Sequence, residues 1–329
     1  MREQNISKKI LDWYDNNKRI LPWRQSKNKK EKAYFTLVSE FMLQQTQVKT
    51  VIPYFENFIK KIPNLKSLAK VNNSKLMKCW EGLGYYSRAR NLKKTARKII
   101  SDFNGSIPKN IEDLKTLPGI GEYTSSAIMA IAFNKPLIPL DGNVERILKR
   151  VFYLKEKNET SKKNLIKKKY FFGKSKRSSD YAQAIMEIGA LICKPAIPLC
   201  NECPLLKNCI SFKKNDFEIE PKNKFNKIKY FKKKIYKNNN KYLLIKNNKF
   251  NFLKNLLIFP MKEIDKNMFK LSSNSKINIK MSNMDMKIVL NKKNNTPKIK
   301  DVFMLDKNNI ENTILPTFTK KIFKSVSKY

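Results

Sequence analysis

Apolar residues recur at helical intervals through the chain up to about Phe212 and fall into alternating, strand-like runs beyond it. The stretch ISKKILDWYDNNKRIL, residues 6–21, puts Ile10, Leu11 and Tyr14 on one face and predicts an amphipathic helix ended by Leu-Pro-Trp-Arg. After a polar, lysine-rich loop to about Glu31, Leu37, Phe41, Gln44 and Val48 keep helical spacing. Glu40 lies among them. It reads either as a surface charge beside the core or as a partly buried acid whose pKa rises into a useful range. Further on, LPGIGEYTSSAIMAIAF sets a glycine hairpin before an apolar helix, with Ile128, Ile131 and Ala132 at helical spacing, and Asp141 follows in a Pro-Leu-Asp-Gly turn. Gly119 and Gly121 suit positive φ and a close backbone approach, and the helix start behind them offers unpaired amides to a phosphate. The plain alternative is a tight turn before a core helix. Beyond Phe212, KKNDFEIEPKNKFNKIKYFKKK reads as a charged linker, and KYLLIKNNKFNFLKNLLIFP alternates as strands do.

Charge changes the picture most. Seventy Lys and Arg against 27 Asp and Glu give a net charge of +43 over 329 residues, which implies a polyanionic partner, nucleic acid above all. Part of that excess sits in Asn/Lys/Ile-rich runs such as KNNNKYLLIKNNKF, where drift towards A/T-rich codons would raise the charge without any binding role. No run reaches the roughly 18 apolar residues of a membrane span, and MREQNISKKILDW lacks a signal peptide's apolar core, so the expectation is a cytoplasmic protein. There is no histidine, which leaves acid–base work to carboxylates, tyrosine or lysine. Four of the five cysteines, Cys193, Cys200, Cys203 and Cys209, follow a C-x6-C-x2-C-x5-C spacing. They read as one all-sulfur metal site, zinc or iron–sulfur, and Cys79 as a packed thiol.

SEFMLQQTQV, VIPYF, EGLGYYSRARNL, LPGIGEYT and LDGNV follow one another in an order and spacing that resembles the adenine DNA glycosylase (MutY) family of the helix-hairpin-helix superfamily, over roughly residues 8–212. The resemblance implies a mostly α fold. It would be a two-lobed helix-hairpin-helix domain over residues 1–212 with an iron–sulfur loop at 193–209. A linker at 213–228 and a degenerate, Nudix-like α/β domain at 229–329 that checks the opposite base would follow. It also implies that Glu40 protonates the departing adenine, that Asp141 stabilises the sugar cation, and that Tyr123 and Asn143 hold the carboxylates and sugar. Gln45 and Tyr85 correspond to wedge residues, Gln44 to a minor-groove contact, Gly119 and Gly121 to the phosphate-gripping hairpin, and Arg88 with Arg90 to phosphate contacts. Trp23, Arg24 and Gln183 would complete the adenine pocket. Two core aromatics are the alternative reading of Tyr85 and Tyr86.

The same resemblance turns the four cysteines into ligands of a structural [4Fe-4S] cluster. Its bifunctional members carry a lysine where this chain has Tyr123, which implies a monofunctional enzyme that leaves an abasic site. The family's Phe-Ser-His motif becomes Phe318-Thr319-Lys320, in which Thr319 keeps a hydroxyl and the histidine is lost. The expected partner is duplex DNA with adenine opposite 8-oxoguanine or guanine, bound by a monomer. An endonuclease III-like glycosylase/lyase and a non-catalytic DNA-binding protein are the alternatives.

Overall fold

The computed structural model describes residues 2–156, 160–218, 227–281, 284–293 and 302–326. The chain divides into two compact units, Met1–Val71 with Ser87–Glu220, and Asn72–Tyr86 with Pro221–Tyr329. The second takes in a mid-chain helix that the sequence reading had placed with the first domain.

The first unit is helical. Its first helix, Arg2–Asn17, ends four residues before the expected boundary, because Pro22 opens a 3-10 turn over Pro22–Arg24. The next helix begins earlier than expected: the Asn28 side chain accepts from the Glu31 amide and starts Lys29–Leu43 inside the lysine-rich loop. Helical spacing from Leu37 to Val48 does not continue as one helix. Gln44 leaves helical geometry and Gln45 takes φ 57°, so the chain breaks and restarts as Val48–Lys61. A left-handed glutamine costs about 1 kcal/mol and is held only where its surroundings fix it.

The helices Arg2–Asn17, Gly142–Phe152 and Ser178–Glu187 bury one another through Ile10, Tyr14, Val144, Ile147, Tyr181 and Ile185. In the hairpin, Gly119 has φ 85°, and a Cβ there would lie 2.9 Å from Phe41 Cε1 and 3.1 Å from Asn91 Cβ. Only glycine satisfies both demands. Gly121 corrects the expectation for the pair. Its φ is −102°, a value any residue adopts, and space around it is open, so it serves as a bare helix start for Glu122–Phe133.

The second unit is a mixed sheet. Its strands are β1 (Lys227–Asn238), β2 (Lys241–Lys246), β3 (Leu257–Ile258), β4 (Met261–Ile264), β5 (Lys276–Met281), β6 (Met284–Lys293) and β7 (Val302–Asp306). The long β1 is the hub: it runs parallel to β6 and antiparallel to β2 and β4. β3 and β7 pair with β2, and β5 with β6. The expected linker at 213–228 is shorter than read: Lys213 closes the helix Ile210–Lys213, Lys227 and Ile228 already belong to β1, and residues 219–226 lie outside the described residues. Alternating burial along β1 (Phe231, Lys233 and Ile235 inside) is masked in the sequence by its six lysines. Lys233 is fully buried, its Nζ 3.9 Å from the Phe318 ring centroid and without a hydrogen-bond partner among the described residues. Burial drives its pKa well below the ordinary lysine value. The helix Thr317–Val326 packs Phe318, Ile322 and Phe323 into the same core.

Candidate active site

Glu40 sits in the buried heart of the Lys29–Leu43 helix, one turn before that helix breaks. Its carboxyl opens onto a cavity of about 470 Å³ shared with Tyr123, Asp141, Asn143, Trp23, Arg24 and Gln183. All six were expected at the site, and the first unit alone brings them together. Burial pushes the Glu40 pKa up to about 7; the Tyr123 phenol beside it opposes the rise and the Asp141 charge adds to it. Oε2 of Glu40 has no hydrogen-bond partner among the described residues. A carboxylic acid half-protonated near neutrality and partly unpaired is a proton donor waiting for an acceptor.

Asp141 is held differently. It is the N-cap of Gly142–Phe152: Oδ1 accepts from the amides of Asn143 (3.0 Å) and Val144 (2.7 Å), and Oδ2 from Asn143 Nδ2 (3.1 Å). Burial raises its pKa, while those donors and the nearby Arg146 pull the other way. Sequence reading saw a turn here; the turn is a cap, and it aims the carboxylate. Asn143 is itself held by Arg146, whose Nη2 donates to Asn143 Oδ1 at 2.8 Å and to Gly189 O at 2.6 Å. Gly189 lies in a π turn over Ile188–Ile192, and a Cβ on it would stand 2.5 Å from Asn143 Cβ. The π turn thus admits Asn143 against the backbone, a use of such turns common at functional sites.

At the other end of the cavity stands a network the sequence reading missed. Glu187, with 1% of its side chain exposed, accepts from Arg24 Nη2 (2.8 Å) and Arg19 Nε (2.9 Å). Arg24 Nε then donates to Gln183 Oε1 at 2.7 Å. Arg24 and Gln183 were expected; Arg19 and Glu187 were not. Their signal was present as a Gln and a Glu four residues apart within the apolar YAQAIMEIGAL. Trp23 is buried edge-on to Phe55 with ring centroids 5.5 Å apart, so it walls the pocket. Tyr123 Oη lies 3.7 Å from Met186 Sδ, and burial, first, with the Glu40 and Asp141 charges, holds its pKa well above the ordinary phenol value.

The break after Leu43 leaves Gln45 exposed and turns Gln44 back to the hairpin, where its Nε2 donates to Gly119 O (3.3 Å) and Thr124 Oγ1 (3.4 Å). Arg88 corrects an expectation. It is buried, and its Nη1 meets the carbonyls of Phe41 (3.0 Å), Met42 (2.6 Å) and Gln44 (2.5 Å), with Nη2 on Thr46 Oγ1 (3.1 Å). The guanidinium closes the carbonyl end of the helix that carries Glu40, where cations are favoured, and so is not presented to a phosphate. Arg88→Met is therefore expected to destabilise the first unit by about 3 kcal/mol, the cost of leaving buried carbonyls without a donor. The salt dependence of DNA binding should keep its slope; a slope lower by about one would identify a phosphate contact instead.

In the second unit, Tyr85 is 40% exposed at φ 46°. Thr319 is fully buried, and its hydroxyl donates to Leu257 O at 2.9 Å. The expected base contact from that hydroxyl is not available as the unit stands, because the group is already satisfied inside the core.

The four cysteines line one small cavity with Ile147, Val151, Ile192 and Leu205, and none is in a disulfide. Burial pushes the Cys203 thiol up to about 12 and also raises Cys200 and Cys209. Among the described residues no three acidic or thiol groups converge tightly enough to hold a single ion. Arg150 braces this loop through the carbonyls of Lys194 (2.6 Å) and Pro195 (2.7 Å), and Arg146 Nε through that of Cys193 (2.7 Å). Cys79, in the second unit, is buried.

Residues 38–170 match the HhH-GPD superfamily of base excision DNA repair proteins. An adenine DNA glycosylase of Buchnera aphidicola subsp. Schizaphis graminum is 37% identical over 287 residues, 83% of this chain and 80% of its own length. An adenine DNA glycosylase of Rattus norvegicus is 42% identical over 207 residues, 61% of this chain but 40% of its own. Among solved structures, a thermostable thymine-DNA glycosylase superposes with a TM-score of 0.56 at 27% identity, covering 65% of this chain and 97% of that one. No described helix is long and apolar enough to cross a membrane.

Proposed function

The chain belongs to the adenine DNA glycosylase family of helix-hairpin-helix base-excision repair proteins, and on that premise we propose that it removes adenine paired with 8-oxoguanine or guanine and leaves the strand intact. One observation carries the reading: Glu40, with its pKa near 7, and the capped carboxylate of Asp141 open onto one cavity. Breaking an N-glycosidic bond to a purine requires a proton on the leaving base and negative charge near the oxocarbenium-like sugar. Glu40 supplies the first and Asp141 the second. Arg24 and Gln183, locked by Glu187, offer fixed donors to the edge of an extruded purine. Tyr123 is close enough to tune Glu40 but carries no amine to capture C1′.

The remaining assignments rest on this reading. Gln45 and Tyr85, both in left-handed conformations and exposed, suit wedges that fill the space an extruded base leaves. The hairpin at Gly119 and the amides at Gly121 suit a backbone phosphate. The mixed sheet of the second unit, with β1 parallel to β6, supports the Nudix-like reading and a role in checking the opposite base. The four cysteines would hold a [4Fe-4S] cluster of structural role, joined to the catalytic cap through Arg146. Protein purified without oxygen is expected to carry about four irons per chain and a broad visible absorption shoulder. Stoichiometric zinc without iron would overturn that assignment.

Duplexes carrying adenine opposite 8-oxoguanine, adenine opposite guanine, or thymine glycol test the function, scored for base release and for strand scission before and after alkali. Release of adenine with scission only after alkali is expected. Scission and borohydride trapping as fast as base release would favour a lyase, and no release at all a simple DNA grip. Tyr123→Lys supplies the missing amine at the cavity and is expected to gain trapping and alkali-independent cleavage well above the parent.

A further inference from the structure

The loop that presents Tyr85 is fastened at its root by a carboxylate that nothing above assigns. Glu81 ends the helix Asn73–Trp80, and Gly82 (φ 98°), Gly84 (φ 78°) and Tyr85 (φ 46°) follow in left-handed geometry. Within the loop, Trp80 Nε1 donates to Gly84 O at 3.1 Å. Glu81 points the other way, into the rest of its unit. With only 11% of its side chain exposed, it accepts from Lys78 Nζ (2.8 Å), the Leu315 amide (3.2 Å) and Lys320 Nζ (3.1 Å). Glu311 closes the ring, its carbonyl on Lys78 Nζ (3.1 Å) and its carboxylate on Lys320 (3.3 Å). Burial pushes the Glu81 carboxyl up, but its three donors outweigh burial and hold it below the ordinary glutamate value. Lys320 lies on the Thr317–Val326 helix, one residue from the buried Thr319.

We propose that Glu81 is a positioning residue for Tyr85: through Lys320 and the Leu315 amide it ties the root of the wedge loop to the Thr317–Val326 helix, so the aromatic meets DNA from a base set by the C-terminal segment. The proposal rests on the reading that Tyr85 enters the duplex. A left-handed tyrosine is strained, so the loop keeps its shape only while both ends are held. Trp80 holds it from within and Glu81 from behind. Charged hydrogen bonds to a mostly buried carboxylate are worth enough to set that geometry.

The test uses the full chain on a duplex with adenine opposite 8-oxoguanine and 2-aminopurine next to the adenine, whose fluorescence rises when the stack is opened. Four variants are compared with the parent: Glu81→Gln, Lys320→Met, Lys320→Arg and Tyr85→Ala. Each of the first two is expected to cut the fluorescence rise and slow single-turnover excision by about tenfold, the loss of one charged hydrogen bond. Lys320→Arg keeps a cation between Glu81 and Glu311 and is expected to retain most of both signals. If Tyr85→Ala lowers both signals but Glu81→Gln and Lys320→Met do not, the tie is disproved while the wedge stands. A Lys320→Arg protein as impaired as Lys320→Met also overturns it. If Tyr85→Ala changes neither signal, the wedge reading fails and the proposal with it.

Discussion

Asp141→Asn is expected to lower single-turnover adenine excision by about a thousandfold, the loss typical of removing a preorganised charge from a reacting centre. The substitution isolates charge from structure. Asp141 caps Gly142–Phe152 through Oδ1, and asparagine is among the best N-caps, so the amides of Asn143 and Val144 keep an acceptor. Helix stability should change by no more than a few tenths of a kcal/mol. Binding to a duplex with adenine opposite 8-oxoguanine, measured by anisotropy, should survive, because the hairpin that would grip phosphate is untouched. A variant that excises within a few-fold of the parent would show that the carboxylate serves only as a cap.

Glu40→Gln should separate activity from stability in opposite directions. Gln cannot deliver a proton, and excision is expected to fall by at least about a hundredfold, the usual worth of a general acid. Stability should rise at alkaline pH. The carboxyl pKa goes from an ordinary 4.5 to about 7 on folding, because burial penalises the charged form. The folded state therefore holds this proton more tightly than the unfolded one. Stability from this group is greatest below about pH 4.5, falls as pH climbs towards 7, and is fully lost above it. The shift corresponds to about 3 kcal/mol, which an uncharged amide of the same shape would recover at pH 8 and not at pH 4. Denaturant midpoints of parent and variant at the two pH values check this. In the parent, the same titration predicts an excision rate that drops about tenfold per unit above pH 7, with a separate loss on the acid side where Asp141, its pKa raised by burial, takes up a proton. A rate that rises through pH 8 would exclude Glu40 as the acid.

Arg88 shows how a residue type can be read correctly and placed wrongly. An arginine in GLGYYSRAR, on a chain of charge +43, reads as a phosphate contact. In the fold it turns inward, because the helix ending at Leu43 leaves carbonyls that only a forked cation can satisfy together. Thr319 makes the same point in the second unit: its neighbours Phe318 and Ile322 belong to the core, and the hydroxyl goes in with them to Leu257 O.

What the sequence determined by itself is local in its physics. Gly119 is dictated by a hairpin that needs positive φ, the cap at Asp141 by an acidic residue ahead of an amphipathic run, and the thiol cavity by four cysteines within one short loop. The hairpin and the cap are fixed by neighbours a few residues away, so the chain carries them wherever it folds; the thiol cavity takes its four cysteines from one loop but also walls from Ile147 and Val151. Tertiary structure alone decided the rest. The raised pKa of Glu40 needs burial inside the packed first unit, with the Asp141 charge added, and the Arg24–Gln183 pair needs Glu187 and Arg19 to lock it. Burial and ion pairing depend on which surfaces meet, and helical spacing says only which face is apolar. The break at Gln45 belongs to the same class: the periodicity runs on through Val48, and the carbonyls left at the break are met by Arg88, brought from a separate helix.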